Sequence, residues 1–164
     1  PSPNFLITKN IIKSSVSSTK NNYGEANKIK VYISGLNLFN LKNIKLKHII
    51  IEDAIFNIDK SKWENLIQYL SKKISEKKIV IKKSKIFLKS KEKTLAIFTI
   101  DNYKMFYNSK NNRTSINYDG TAFNAPINFK WYRDFSTPDK SYSMLKIKEL
   151  NTTIKSNLFK KKNK

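Results

Sequence analysis

The sequence predicts a mainly β protein, built as one curved antiparallel sheet with a single amphipathic helix. Three observations support this prediction. Apolar and polar residues alternate along much of the chain, these stretches are rich in Ile, Val, Phe, Tyr and Thr, and one segment alone shows helical spacing. Such alternation is typical of strands with one apolar and one wet face, which usually belong to antiparallel sheets.

The predicted strands follow one another along the chain. The shorter ones lie in residues 29–34, 44–47, 78–82, 85–89 and 145–148. The longest apolar series runs on one parity from Thr121 to Trp131. Polar segments at 21–24 and 108–113, together with Asp119-Gly120, predict turns between strands.

Two segments that lie 30 residues apart share a pattern. Ile49-x-Ile51-x-x-Ala54-x-Phe56 matches Ile79-x-Ile81-x-x-Ser84-x-Ile86, with a small residue between two apolar pairs. We interpret the match as a repeated unit of two strands, with the helix between its two copies.

Residues 61–76 form the predicted helix. Apolar residues recur there at helical spacing from Trp63 to Ile74, and Ser61 with Glu64 matches a capping box. Lysines cluster near its end, where cations complement the helix dipole. One such helix covers only part of the apolar face of a sheet of about seven strands, so the sequence predicts an open groove.

Length and charge limit the classes of protein. The 164 residues suit one domain, which we place at 1–159, followed by a basic disordered tail at 160–164. The net charge is +21, and all basic residues except Arg113 and Arg133 are lysine. This charge fits an anionic partner, either lipid or nucleic acid, although A+T-rich coding also produces Lys, Asn and Ile. Because the chain begins at Pro1, we expect it to be a segment of a longer protein.

Catalytic and metal-binding patterns are missing from the sequence. The chain has no cysteine, which excludes a disulfide scaffold, a thiolate metal site and a Cys nucleophile. Its only histidine, His48, has just Glu52 and Asp53 nearby. Paired carboxylates with the spacing of a hydrolytic site are also lacking. We therefore expect no enzyme, no cofactor and no metal.

Aromatic residues make up 12% of the chain, and several lie near basic residues. Such interleaving is typical of single-stranded nucleic-acid binding. In the series from Thr121 to Trp131, however, alternation places Phe129 and Trp131 on one face and Lys130 on the other. This separation argues against nucleic acid, which we do not expect as a partner.

Several segments together carry a resemblance to one protein family. Pro-Ser-Pro-Asn-Phe-Leu-Ile at 1–7 is similar to the P-x-P-x-L-x-I start of the region that follows the membrane anchor in AsmA-like proteins. Residues 26–38 resemble its alternating strand and Leu-rich turn, and 44–59 its strand pair before the helix. Residues 78–87 repeat that step, and Phe-Asn-Ala-Pro-Ile-Asn-Phe at 123–129 resembles a later strand.

The resemblance implies a piece of a repeating β-groove related to bridge-like lipid-transfer proteins. It implies a periplasmic protein whose full-length form is anchored in the inner membrane of a Gram-negative bacterium, with a role in lipid transport and outer-membrane assembly. The implied partners are phospholipid, the inner membrane through an anchor missing from this chain, and other envelope proteins.

The expected lining of the groove holds acyl chains without covalent chemistry. We predict that it comprises Ile79, Ile81, Ile86, Leu88, Phe123, Ile127, Phe129 and Trp131. Two alternatives stay open at this point: a basic β-sheet that binds nucleic acid, and a purely structural envelope β-domain whose apolar face is fully packed.

Overall fold

A computed structural model describes residues 4–13, 22–33, 46–62, 73, 75–91, 93–136 and 140–159. These residues form nine strands in a single sheet. The strands are β1 (Asn4–Lys13), β2 (Asn22–Ile33), β3 (Leu46–Asp59), β4 (Lys78–Ser90), β5 (Lys93–Asn108), β6 (Arg113–Ala122), β7 (Ala125–Asp134), β8 (Lys140–Ile147) and β9 (Thr152–Phe159). The mainly β prediction is confirmed. The tail predicted at 160–164 lies outside the described residues.

The order of strands in the sheet is the order of the chain, from β1 to β9. Seven neighbouring pairs are antiparallel, as predicted, but β3 and β4 are parallel. The wholly antiparallel prediction is therefore wrong at this pair. Alternation gives the face of each side chain but carries no information about strand direction, and a parallel pair needs a long crossover, here residues 60–77.

The parallel pair explains the repeated pattern. Ile49 lies opposite Ile79, Ile51 opposite Ile81, and Phe56 opposite Ile86, so the partner of each residue is 30 positions later. The two copies of the pattern are thus neighbours in the sheet. Each copy is one continuous strand rather than a pair of strands.

The predicted helix falls for most of its length, at 63–72 and 74, outside the described residues. The residues that the structure describes contain no α-helix, and only Lys60–Lys62 form a turn of 3-10 helix. The cap at this turn is Asp59, whose Oδ1 accepts hydrogen bonds from the amide of Ser61 at 2.8 Å and from its hydroxyl at 2.6 Å. The Ser61 side chain is therefore a donor to Asp59 here.

Bulges bend the middle of the long strands. The register passes over Asp53, Lys83 and Asp101, which lie at the same level of β3, β4 and β5. Asp53 and Lys83 have positive φ angles of 53° and 48°. An extra residue bends a strand and shifts the alternation, so residues of one face have odd numbers before Lys83 and even numbers after it.

A two-residue turn interrupts the long apolar series that the sequence suggested. β6 ends at Ala122 and β7 begins at Ala125, and both Phe123 and Asn124 have positive φ angles. Positive φ at both central residues is the geometry of a type I′ turn, which matches the twist of a hairpin. Asp119 and Gly120, predicted as turn residues, lie inside β6.

Candidate functional site

An apolar groove of about 470 Å³ lies on one face of the sheet, which we call the groove face. Fourteen lining residues belong to the described part of the chain; none of them is charged, and they come from strands β3 to β8. They are Phe56, Ile58, Ile79, Ile81, Ile86, Phe98, Ile100, Tyr103, Met105, Ile116, Tyr118, Ile127, Phe129 and Leu145. The volume falls in the range of about 300–1,000 Å³ that is typical of ligand pockets.

The bend in the strands forms the groove. Phe98 precedes the Asp101 bulge of β5 and Tyr103 follows it, yet both line the same cavity. On β4, Ile86 and Ile81 are related in the same way across Lys83. The two halves of each strand therefore form opposite walls, and the shift in alternation keeps apolar side chains on both.

One wall is a row of side chains that crosses the sheet. Ile81, Tyr103, Tyr118, Phe129 and Leu145 are cross-strand neighbours on β4 to β8. The next row contains Ile79, Met105, Ile116 and Trp131. Met105 and Ile116 are buried, and Ile79, Tyr103 and Trp131 pack against them. Cross-strand packing of this kind stabilises the wall.

Small residues occupy the crease where the walls meet. Ala26, Ala54, Ser84 and Gly120 are all buried there. A Cβ atom at Gly120 would overlap the carbonyl oxygen of Thr99 on β5. The close approach of the backbones requires glycine at this position.

Tyr118 places a polar atom at the crease without leaving it unpaired. Its hydroxyl lies 2.7 Å from the carbonyl oxygen of Thr99 and 2.8 Å from that of Thr121, and it donates to these acceptors. Burial raises the pKa of Tyr118 to about 12, and the negative charges of Asp101 and Asp119 make a smaller contribution in the same direction. The phenol is therefore neutral at physiological pH, and the groove gains no charge from it.

Five of the eight predicted lining residues are found in the groove: Ile79, Ile81, Ile86, Ile127 and Phe129. The other three lie elsewhere. Leu88 is on the groove face beyond the cavity, beside Ala96, and Trp131 packs below it against Met105 and Ile116. Phe123 is in the turn, 76% exposed, with its ring edge-to-face against Phe98.

Sequence reasoning missed nine of the fourteen residues. On β5, the alternation of Tyr103 and Met105 is visible in the sequence, but the bulge at Asp101 hides its relation to Phe98 and Ile100. On β3, the repeated pattern was the available signal, because it aligns Phe56 with Ile86.

Two cations lie at one rim of the groove. The Lys73 ammonium is 5.5 Å from the centre of the Tyr107 ring and 5.8 Å from that of Phe135. The Arg133 guanidinium is 5.2 Å from the Phe135 ring. The backbone amide of Tyr107 donates to the carbonyl of Ser75 at 2.9 Å, which fixes the chain next to Lys73 against this rim.

The opposite face, which we call the outer face, is rich in lysine. Lys104, Lys130 and Lys155 lie in one row across β5, β7 and β9, with Asn117 and Met144 between them. Lys82 and Lys146 belong to the next row. Two acidic groups on this face form ion pairs: Glu52 pairs with Lys30 and Asp119 with Lys148, each at 2.9 Å.

No group of three or more His, Asp or Glu side chains converges within the described part of the chain. The ring of His48 stacks on Tyr32 with centroids 4.1 Å apart. Burial lowers the pKa of His48, and the positive charges of Lys47 and Lys78 make a smaller contribution in the same direction. Within the described residues, no helix has the length and apolar character to cross a membrane.

Comparison with protein-family models, with curated proteins and with solved structures found no match to this chain.

Proposed function

We propose that this chain is a non-enzymatic, AsmA-like envelope segment whose groove holds the acyl chains of phospholipid. It would lie in the periplasm, anchored to the inner membrane in a longer protein and working with other envelope proteins in lipid transport and outer-membrane assembly. The observation that carries the proposal is the groove itself, whose described lining residues are all uncharged and lie on the face opposite the lysine-rich outer face.

The physical chemistry of the groove fits an acyl chain. Of the fourteen described lining residues, Ile100, Met105 and Ile116 are buried and the other eleven are partly exposed. Covering them with an acyl chain removes apolar area from water on both partners. Burial of ten methylene groups contributes about 8 kcal/mol before the cost of ordering the chain.

The rim suits a phosphate head group. Lys73 and Arg133 place positive charge at the edge of the apolar lining, while their stems and the rings of Tyr107 and Phe135 extend the apolar surface. A phospholipid bound with its tails in the groove would then present its phosphate to cations.

The test is the lipid that co-purifies with the protein, measured by mass spectrometry. We expect bound phospholipid in the wild type and its loss in the double variant Ile81→Asp, Phe129→Asp, which puts two charges in one wall. The control Asn117→Asp, Asn128→Asp adds the same charges to the outer faces of β6 and β7 and should keep its lipid. Equal lipid in both variants would remove the groove from the binding site.

A second measurement guards against unfolding of the charged variant. Ile127→Trp fills the groove without adding charge and should also reduce the bound lipid. In addition, Trp63→Phe leaves Trp131 as the only tryptophan, and brominated acyl chains should quench its fluorescence because it lies beside Met105 and Ile116. Two results together would contradict the proposal: a folded Ile127→Trp protein with a full lipid load, and an unquenched Trp131 in the Trp63→Phe protein.

One observation favours nucleic acid as a second candidate. Tyr132 and Tyr142 stack on the outer face, so that aromatics and lysines do share a face there, contrary to the argument from the sequence. However, Tyr142 and the Arg113 guanidinium, at 4.4 Å, both lie against the Tyr132 ring, which leaves it poorly placed to stack on a base. A titration with single-stranded oligonucleotide at two salt concentrations tests this candidate, which predicts a steep loss of affinity with salt.

A further inference from the structure

The outer face carries a row of lysines whose purpose the groove does not explain. The row consists of Lys104, Lys130 and Lys155, on alternate strands β5, β7 and β9. Adjacent strands are about 4.8 Å apart, so successive lysines of this lysine row are about 10 Å apart. None of the three forms an ion pair with another residue in the described ranges.

We propose that the lysine row docks the protein on the surface of an anionic phospholipid bilayer. The inference rests on the proposed function in one respect, since a lipid carrier has to reach a lipid surface. Charge complementarity supports it. Asp119, on the strand between Lys104 and Lys130, is held by Lys148, so it does not neutralise the lysines of the row.

The lysine row is spread along one face of the sheet. Its members lie on alternate strands of that face. Each carries its ammonium group on a flexible four-carbon stem with rotatable donors. The lysine row can therefore adapt to an extended array of phosphates.

The aromatic residues of this face favour a bilayer over a nucleic acid. Single-stranded nucleic acid needs open ring faces for base stacking. The ring of Tyr132 lies between Tyr142 and Arg113, and that of Tyr32 has one face on His48. Lysine–phosphate attraction needs no stacking, and each lysine near an anionic surface contributes about 1 kcal/mol.

The experiment measures binding of the whole chain to two kinds of vesicle, phosphatidylcholine alone and phosphatidylcholine mixed with phosphatidylglycerol. We expect binding to the mixed vesicles only, weakened by salt because the Debye length shortens. The triple variant Lys104→Gln, Lys130→Gln, Lys155→Gln should bind roughly 150-fold more weakly, from about 1 kcal/mol for each lysine.

A matched control removes the same charge from another part of the sheet. Lys85→Gln, Lys89→Gln, Lys91→Gln loses three lysines from β4 and the turn after it, on the other side of the bulge. We expect its affinity for the mixed vesicles to fall less than about threefold, since these lysines lie outside the docking row. Equal losses in the two triple variants would overturn the proposal, because net charge alone would then explain binding.

Two further outcomes separate this proposal from its rivals. The groove variant Ile81→Asp, Phe129→Asp should still bind mixed vesicles, and circular dichroism checks that it is folded. If the wild type binds these vesicles but carries no lipid in its groove, the acyl-chain proposal fails while the docking proposal stands. Docking on a bilayer would be overturned if the wild-type protein did not bind mixed vesicles. It would also be overturned if a single-stranded oligonucleotide displaced the protein from the vesicles and the triple lysine variant lost its affinity for that oligonucleotide.

Discussion

Ser84 of β4 completes the hydrogen bonding of Ala54 on the parallel strand β3. The backbone amide of Ala54 donates to the Ser84 hydroxyl oxygen at 3.0 Å, and the hydroxyl donates to the carbonyl of Lys82 at 2.7 Å. This exchange occurs beside the bulges at Asp53 and Lys83, where the register of the two strands is interrupted. A side chain thus replaces a ladder hydrogen bond at the crease of the groove.

Removal of this hydroxyl should destabilise the sheet. In Ser84→Ala, the buried amide of Ala54 loses its acceptor, which costs about 1–3 kcal/mol in the free energy of unfolding. Chemical denaturation measures the change. The control Ser156→Ala, on β9 and outside the crease, should change stability by less than about 0.5 kcal/mol. Equal stability of the two variants would mean that another group satisfies the Ala54 amide.

Gly120→Ala should disturb the crease more strongly. Its Cβ would overlap the Thr99 carbonyl oxygen and crowd the Tyr118 hydroxyl, so β5 and β6 have to separate. We expect a loss of about 3 kcal/mol or more in unfolding free energy, at the upper end for an overpacked site. Asn117→Ala, exposed on the same strand, is the control. A Gly120→Ala protein as stable as this control would show that the gap between β5 and β6 accommodates a Cβ atom.

Tyr118 should be the late phenol in an ultraviolet titration. Its pKa is raised to about 12 from the usual 10.0, because burial and two nearby carboxylates disfavour the phenolate. The unfolded chain releases this proton first, so stability is retained below pH 10.0 and is lost as the pH rises toward 12. In Tyr118→Phe the late component should vanish. Its persistence would assign it to another of the eight tyrosines.

His48 should make the protein less stable in mild acid. Its pKa is lowered from 6.5 by burial and by two lysines, so the unfolded chain takes up a proton before the folded protein does. Stability should therefore fall as the pH drops below 6.5. His48→Phe keeps a ring against Tyr32 and should flatten this dependence, measured by melting temperature between neutral and mildly acidic pH. The single histidine also allows a direct measurement of its pKa by NMR, and a value at or above 6.5 would contradict this account.

The sequence by itself determined that the chain forms strands with one apolar and one lysine-rich face. Alternation acts between residues two positions apart, so Ile79 with Ile81 and Ile127 with Phe129 could be placed on one face from the sequence alone. All four line the groove. The repeated pattern also aligned Phe56 with Ile86, which are neighbours in the sheet, although it did not show that their two strands are parallel.

Only the tertiary structure decided how these faces combine. The bulges at Lys83 and Asp101 exist because of pairing with neighbouring strands, and they reverse the parity that alternation assigns. For the same reason Phe123, apolar and on the expected parity, lies in a turn outside the groove, since hairpin geometry overrides its alternation with Ile127. Local periodicity records which side chains share a face over a few residues. Long-range backbone pairing decides where a strand bends, and the bends turned an apolar face into a groove with two walls.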